Sequence, residues 1–344
     1  MSLTKIRCER FTAFERISVE LSPGVNVFVG ANGTGKTHLM KIAYSACDVS
    51  KTRHNFAEKL SRVFLPSGQQ IGRLVKRQRG IAAGSAEVSR TADLLPDLSL
   101  RASFTNHTTT VDKVDVTGTP EWSLHPMESV YIPVKEMLSS APGFLSLYSQ
   151  REIHFEEIYA DILVRAYLPP LRGPMDLNRK RLLTTLQGAM AGKVSIKDEE
   201  FFLTNKQGNL EFTLLAEGMR KLALLWVLIQ NGTLLEGSVL FWDEPETNLN
   251  PKMFGVLMDI LLQLQRLGVQ VFIATHDYVI LKELDLRRQQ SDKILYHSFF
   301  RDEDGRIECR SADRYLDIHP NAIAEAFADL YDREVKRTME GIAG

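Results

Sequence analysis

Cysteine is scarce in this chain: Cys8, Cys47 and Cys309 are the only three in 344 residues. They are scattered, with no Cys-x-x-Cys pair, which excludes a zinc framework or a disulfide-stapled fold and points to a reducing, cytoplasmic compartment. Long apolar runs are missing too. None approaches the ~20 residues that span a bilayer, and Met1-Ser2-Leu3-Thr4-Lys5 lacks a secretory apolar segment. No membrane partner is expected. An excess of either charge is absent: 42 Lys and Arg stand against 43 Asp and Glu, a net charge of −1. No global field therefore drives the chain toward nucleic acid. Repeats and low-complexity tracts are absent. What remains is ordinary for a globular enzyme, 44% hydrophobic and long enough to bury a large core.

Against that plain background one stretch stands out. Gly30-Ala31-Asn32-Gly33-Thr34-Gly35-Lys36-Thr37 fits G-x-x-x-x-G-K-[ST], a loop that cradles phosphates with its backbone N–H groups. Its setting fits as well. Val25 to Val29 reads as a buried strand, and Leu39, Met40, Ile42, Ala43 and Ala46 recur at helical spacing. The helix start adds partial positive charge toward an anion. Lys36 is placed to reach the β- and γ-phosphates, and Thr37 to bind Mg²⁺.

Val239-Leu240-Phe241-Trp242-Asp243-Glu244-Pro245 reads as a doubly buried strand ending in two acids, at the sheet edge where ligands of open α/β folds gather. Asp243 is expected to hold Mg²⁺. Glu244 is expected to orient and deprotonate a water. Val271-Phe272-Ile273-Ala274-Thr275-His276 is another buried strand, ending in a histidine able to sense a γ-phosphate. Leu215-Ala216-Glu217-Gly218-Met219 opens an apolar helix, so Gly218 is a second phosphate candidate. Tyr131 to Glu136 reads as a strand running into a loop. Arg73, Lys76, Arg77 and Arg79 form one basic cluster, Arg179-Lys180-Arg181 a second and Arg287-Arg288 a third. Each is more often a solvated face than a nucleic-acid site. The first is the best DNA or RNA candidate, with small residues over Gly80–Ser85 suggesting an accessible loop.

In this order the elements resemble an ABC-type P-loop ATPase of the SMC, RecF and OLD-like branch, here without a Toprim domain. Asp243-Glu244-Pro245-Glu246-Thr247-Asn248-Leu249-Asn250-Pro251 is similar to the Asp-Glu-Pro-Glu…Leu-x-Pro run of the OLD-like group. The resemblance implies a P-loop NTPase core, with a mainly parallel sheet, a flanking antiparallel β-subdomain and an inserted helical lid. It implies ATP and Mg²⁺ as cofactors. Gly30, Ala31, Asn32, Gly33, Thr34, Gly35, Lys36, Thr37 and His38 would contact nucleotide in cis. Glu217, Gly218 and Asn248, from the signature and D-loop positions, would contact it across a dimer. Glu244, His276 and Lys36 would carry catalysis, and Thr37, Asp243 and Glu136 would serve the metal. Two departures are plain. Ala216 stands where a signature serine is usual, and Glu136 where the Q-loop glutamine is usual.

Three segments are expected: an N-terminal ATPase lobe over 1–136, a helical lid over 137–213 and a C-terminal ATPase lobe over 214–344. Within them, strands are expected at Leu3–Phe11, Arg16–Leu21 and Gly24–Val29, with largely helical structure over 36–62. Strand-like alternation covers Leu98–Phe104 and Thr109–Val116. Phe11 and Phe14 suit core packing better than adenine stacking. His154–Leu168 and Met175–Met190 read as lid helices, followed by strands over Phe201–Thr204 and Asn209–Leu214. Pro251–Leu267 is a helix, Asp292–Ser311 a hairpin turning at Asp304-Gly305, and Asn321–Arg337 a terminal helix.

The resemblance further implies an ATP-dependent homodimer. Each P-loop nucleotide would be capped by the Gly218 helix start of the second copy and released by hydrolysis. Such a switch fits genome maintenance or antiviral defence, linked to DNA or RNA. Only 68 residues follow His276 (344 minus 276), too few for a Toprim domain, so an effector nuclease or toxin is expected in trans. Two alternatives stay open. Ala216 suits a partner that binds ATP but hydrolyses little. A transporter ATPase subunit fits the signature and Q-loop positions poorly.

Overall fold

The chain opens with strands β1 (Leu3–Phe11), β2 (Phe14–Glu20) and β3 (Val25–Gly30). β1 and β2 mix buried and open positions, whereas every residue of β3 is buried. That contrast separates a half-solvated antiparallel ribbon from a strand covered on both faces. A computed structural model describes residues 1–52, 54–92, 95–151 and 153–342. Helix α1 (Lys36–Asp48) follows the glycine loop, and α2 (Phe56–Phe64) starts at a capping box between Asn55 and Glu58. Next come β4 (Ala83–Ala92), β5 (Leu95–Thr105), β6 (Asp115–Thr117), α3 (Thr119–Ser123) and β7 (Ser129–Ile132). The insertion carries α4 (Phe144–Arg151), α5 (Glu157–Ala166), α6 (Leu177–Met190), β8 (Lys193–Lys197), β9 (Glu200–Asn205) and β10 (Gly208–Glu211). The last part holds α7 (Glu217–Gln230), β11 (Val239–Asp243), α8 (Phe254–Arg266), β12 (Gln270–Thr275), α9 (Tyr278–Arg287), β13 (Ile294–Arg301), β14 (Ile307–Ala312) and α10 (Ala322–Ile342).

Among the described residues these strands form three sheets. The central one runs β14-β13-β3-β12-β11-β7, parallel except for the β13–β14 hairpin. Its side chains alternate between two cores. Leu240, Trp242, Val271 and Ile273 pack toward α7 and α8, while Phe28, Phe241 and Phe272 pack toward α1. β12 lies between β3 and β11, so one strand separates the phosphate loop from the Asp243 end. The second sheet, β2-β1-β4-β5-β6, is the antiparallel flank, and β10-β9-β8 is a small third sheet.

Several expectations need correction. The loop expected over Gly80–Ser85 runs into β4, with Gly84 and Ser85 buried. Of the expected Thr109–Val116 alternation only Asp115 and Val116 pair in a strand, β6. The lid is not purely helical: β8 precedes the two expected strands, and Phe212–Leu214 is a 3₁₀ turn. The Arg179-Lys180-Arg181 cluster splits. Arg179 is buried and donates to the Ile229 and Gln230 carbonyls at 2.9 and 2.6 Å, closing the C-terminus of α7.

An ionic cluster joins the inserted α5 to the phosphate-loop helix. Lys59 Nζ lies 2.8 Å from Asp48, 2.7 Å from Asp161 and 3.5 Å from Glu157. Arg165 reaches Asp48 at 2.6 Å, and Lys41 reaches Glu156 at the same distance.

Candidate functional site

The β3–α1 loop is shaped by glycines. Gly33 and Gly35 adopt φ of 75° and 85°, in the left-handed region that disfavours side chains. At Gly35 a Cβ would fall 2.3 Å from the Phe14 ring, so Phe14 is the floor of the loop. Phe11 and Phe14 are both fully buried, as core packing requires. Thr34 Oγ1 donates to the Ala31 carbonyl at 2.8 Å, while Ala31, Asn32 and Gly33 lie exposed. Arg301 on β13 donates to the Gly33 carbonyl at 3.0 Å, an anchor with no local sequence signal. Lys36 Nζ donates to the Gly30 and Ala31 carbonyls at 2.6 and 3.0 Å. The His38 ring centre lies 5.5 Å from that of Phe64. Burial and the neighbouring Lys41 charge lower its pKa to about 4.

β11 delivers Asp243 to this loop. Thr37 Oγ1 donates to Asp243 Oδ1 at 3.2 Å, and Tyr131 on β7 donates to Oδ2 at 3.1 Å. Burial pushes the Asp243 carboxyl up and the Lys36 ammonium down from their ordinary values. Each shift disfavours the charged form. A cation at the carboxylate or a phosphate at the ammonium would reverse it. The hydroxyl and carboxylate are hard oxygen donors that suit Mg²⁺.

Glu244 turns the chain with φ of 47°, its N–H donating to the Ala274 carbonyl at 2.9 Å. Its Oε1 lies 3.3 Å from His276 Nδ1, and its Oε2 accepts from Thr247 Oγ1 at 3.3 Å. Two buried neighbours were not anticipated in any role. Glu246 Oε1 accepts from Thr275 Oγ1 at 2.6 Å and from the His276 N–H at 3.3 Å. Lys221 on α7 is 1% exposed and donates to the Thr247 carbonyl at 2.8 Å. A lysine on an apolar helix and a carboxylate in a loop are common enough that neither carries a signal by itself.

The remaining expected residues are placed as follows. Gly218 is buried against the D-loop of its own chain, where a Cβ would lie 2.5 Å from the Asn248 carbonyl oxygen. Its lack of a side chain thus serves a close backbone approach. Ala216 offers no side-chain cap to α7, and Glu217 sits in the first helical turn. Asn248 has φ of 61°. Glu136 stands in the loop after β7 with its side chain buried. It pairs with Arg220 at 3.1 Å and accepts from Ser139 at 3.1 Å and from the Leu138 N–H. The first basic cluster keeps Arg73, Arg77 and Arg79 exposed, while Lys76 pairs with Glu15 at 3.3 Å.

The sequence family described as "AAA domain, putative AbiEii toxin, Type IV TA system" matches residues 25–282. Two curated relatives are each described as "DNA replication and repair protein RecF". That of Acidothermus cellulolyticus is 49% identical over 41 residues, 12% of this chain and 11% of the relative. That of Citrobacter koseri is 33% identical over 106 residues, 31% of this chain and 28% of the relative. The chain therefore matches less than a third of either relative's length. Among solved structures, an SMC head bound to the C-winged helix domain of ScpA aligns with a TM-score of 0.60 at 12% identity, covering 92% of this chain and 99% of that one. A Pyrococcus furiosus SMC head with an extended coiled coil, bound to the C-terminal domain of ScpA, aligns at 0.53 and 12%, covering 97% and 99%. The fold is that of an ABC-type P-loop ATPase head.

Proposed function

We propose that this chain, which belongs to the family described as "AAA domain, putative AbiEii toxin, Type IV TA system", is an ATP-hydrolysing switch that dimerises around nucleotide. The observation that carries the reading is the meeting of three elements at one sheet edge. Thr37 of the phosphate loop lies 3.2 Å from Asp243, and the next residue, Glu244, lies 3.3 Å from His276. Residues 30–37 would bind the triphosphate, with Lys36 leaving the loop carbonyls for phosphate oxygens. Thr37 and Asp243 would hold Mg²⁺, which supplies charge neutralisation at the phosphates when bound. Glu244 would take the proton of an attacking water. His276 would orient that carboxylate and report whether a γ-phosphate is present.

The Glu217–Gly218 start of α7 in a second copy would complete each site, giving a two-fold pair with two shared nucleotides. The alternation between clamped and released pairs is then the output. The RecF relatives and the SMC-like fold support a nucleic-acid-linked setting, and the family description, which names a toxin of a toxin–antitoxin system, suits a role in defence. An ATP-binding partner with little turnover remains the second reading, favoured by the uncapped Ala216.

Turnover and oligomeric state test both. Glu244→Gln is expected to lower kcat by roughly 10²-fold or more and to trap a dimer with ATP and Mg²⁺ in light scattering. Lys36→Ala is expected to weaken nucleotide binding and abolish that dimer. Wild-type turnover no faster than that of Glu244→Gln would select the second reading. Calorimetry with no heat of ATP binding would overturn both.

A further inference from the structure

Lys221 is a costly residue to find where it is. It stands one turn into α7, flanked by Leu222 to Ile229, and only 1% of it is exposed. Burial lowers its pKa, and four nearby carboxylates, Glu217, Glu246, Glu244 and Glu136, oppose that shift. None of them lies within ion-pair distance among the described residues. Its one hydrogen bond among the described residues, 2.8 Å to the Thr247 carbonyl, goes to the turn that follows Glu244. A buried ammonium held by a single backbone oxygen adds little to stability. The turn it grips carries a Thr247 hydroxyl that donates to Glu244 Oε2 at 3.3 Å. The Thr247 N–H also donates to the Glu244 carbonyl at 3.1 Å, closing the turn on itself. Gly218, one helical turn earlier, packs on the next residue of the same turn at the Asn248 carbonyl. Helix α7 thus touches this turn at two points.

We propose that Lys221 is a positioning residue for hydrolysis: it fixes the Thr247 turn from α7 so that the Thr247 hydroxyl holds the Glu244 carboxylate facing the attacking water. The assignment rests on Glu244 being the base, as proposed above. It adds a specific route, Lys221 Nζ to Thr247 carbonyl and Thr247 Oγ1 to Glu244 Oε2. No proton travels along that route. Its effect is orientation alone, and it reaches the base from the helix whose start would meet a second copy's nucleotide.

A double-mutant cycle in the full chain tests it. Lys221→Met keeps an unbranched side chain one atom shorter and removes the donor. Thr247→Val keeps the shape and removes the hydroxyl. Each is expected to lower kcat roughly 10- to 100-fold, the loss that small misplacements cause, with ATP affinity by calorimetry unchanged. The double variant should fall no further than the worse single variant, because both break one route. Thr247→Ser should recover most of the rate. Melting temperature should stay the same or rise in Lys221→Met, since a buried charge is removed, so stability and kcat part company. Multiplying losses in the double variant, or undiminished kcat in Lys221→Met, would overturn the assignment while Glu244→Gln still reports on the base itself. If Glu244→Gln turns over normally, the underlying function fails instead, and Lys221 has no base to position.

Discussion

Asp243 shows how the environment of one residue becomes a solution property. Its carboxyl is 4% exposed as a residue and lies between Thr37 and Tyr131. Burial holds its folded pKa above the ordinary 3.8, against the lowering effect of those two hydrogen bonds. A carboxyl raised on folding gives stability that is full below its unfolded pKa and is lost as pH rises through the folded one. Without nucleotide or magnesium, the Asp243 contribution should therefore grow as pH falls from neutral toward about 4, while the buried His38 and His297, whose pKa values folding lowers, work in the opposite direction. Asp243→Asn removes that contribution. The gap in melting temperature between variant and wild type should favour the variant at pH 7 and narrow on acidification. A gap independent of pH would show that Asp243 keeps an ordinary pKa. Added Mg·ATP should shrink the gap at pH 7 in wild type, because the metal removes the cost of the buried charge.

At the scale of elements, legibility in the sequence followed burial on both faces. β3, β11 and β12 are continuous apolar runs with every residue buried, so Asp243, Glu244 and His276 could be placed at strand ends by letters alone. β4 was not legible. Ala83-Gly84-Ser85-Ala86-Glu87-Val88 has small residues where a strand would show branched ones, and its burial comes from β1 and β5 on either side. β8 was hidden by brevity, since Lys193-Val194-Ser195-Ile196-Lys197 alternates for barely one pleat. Lys221 and Glu246 escaped because their types favour solvent and only packing makes them interior. Arg179 is the clearest case. In a run of three basic residues it looked solvated, yet it is 5% exposed and ends α7. Arg179→Ala should cost about 2–3 kcal/mol, the worth of charge-assisted bonds to carbonyls left unmet. Lys180→Ala should change stability by no more than about 0.5 kcal/mol. Arg179→Lys should recover only part, since one ammonium cannot fork across Ile229 and Gln230. Urea midpoints measure all three, and equal midpoints for the two alanine variants would remove the cap.

For the molecule as a whole, the question is what ties α4, α5 and α6 to the helices that flank the central sheet. Apolar packing of α5 on β7 and α7 supplies one answer, and the Lys59 cluster supplies a second. Lys59 on α2 gathers Asp48 from α1 and both Glu157 and Asp161 from α5, while Tyr44 of α1 donates to Asp161 at 2.6 Å. Burial alone would lower the Lys59 pKa. Asp161, Asp48 and Glu157 outweigh it and hold the ammonium charged. Such a pair adds little over a well-packed apolar replacement, but removing one member strands the others. Lys59→Ala should accordingly cost about 3–5 kcal/mol at neutral pH. The sign of its pH dependence follows from what is left behind. Glu157, whose carboxyl burial already raises, loses its Lys59 partner, and Asp48 is left to Arg165 alone, so protons restore part of what the lysine supplied. The variant should regain stability as pH falls from neutral, more steeply than wild type. Because the cluster spans α1, α2 and α5, hydrogen exchange should rise in all three together in the variant, while β13 and β14 stay protected. Exchange confined to α2 would mean that Lys59 stabilises its own helix only, and that the inserted helices are held to the phosphate-loop helix by apolar contacts alone.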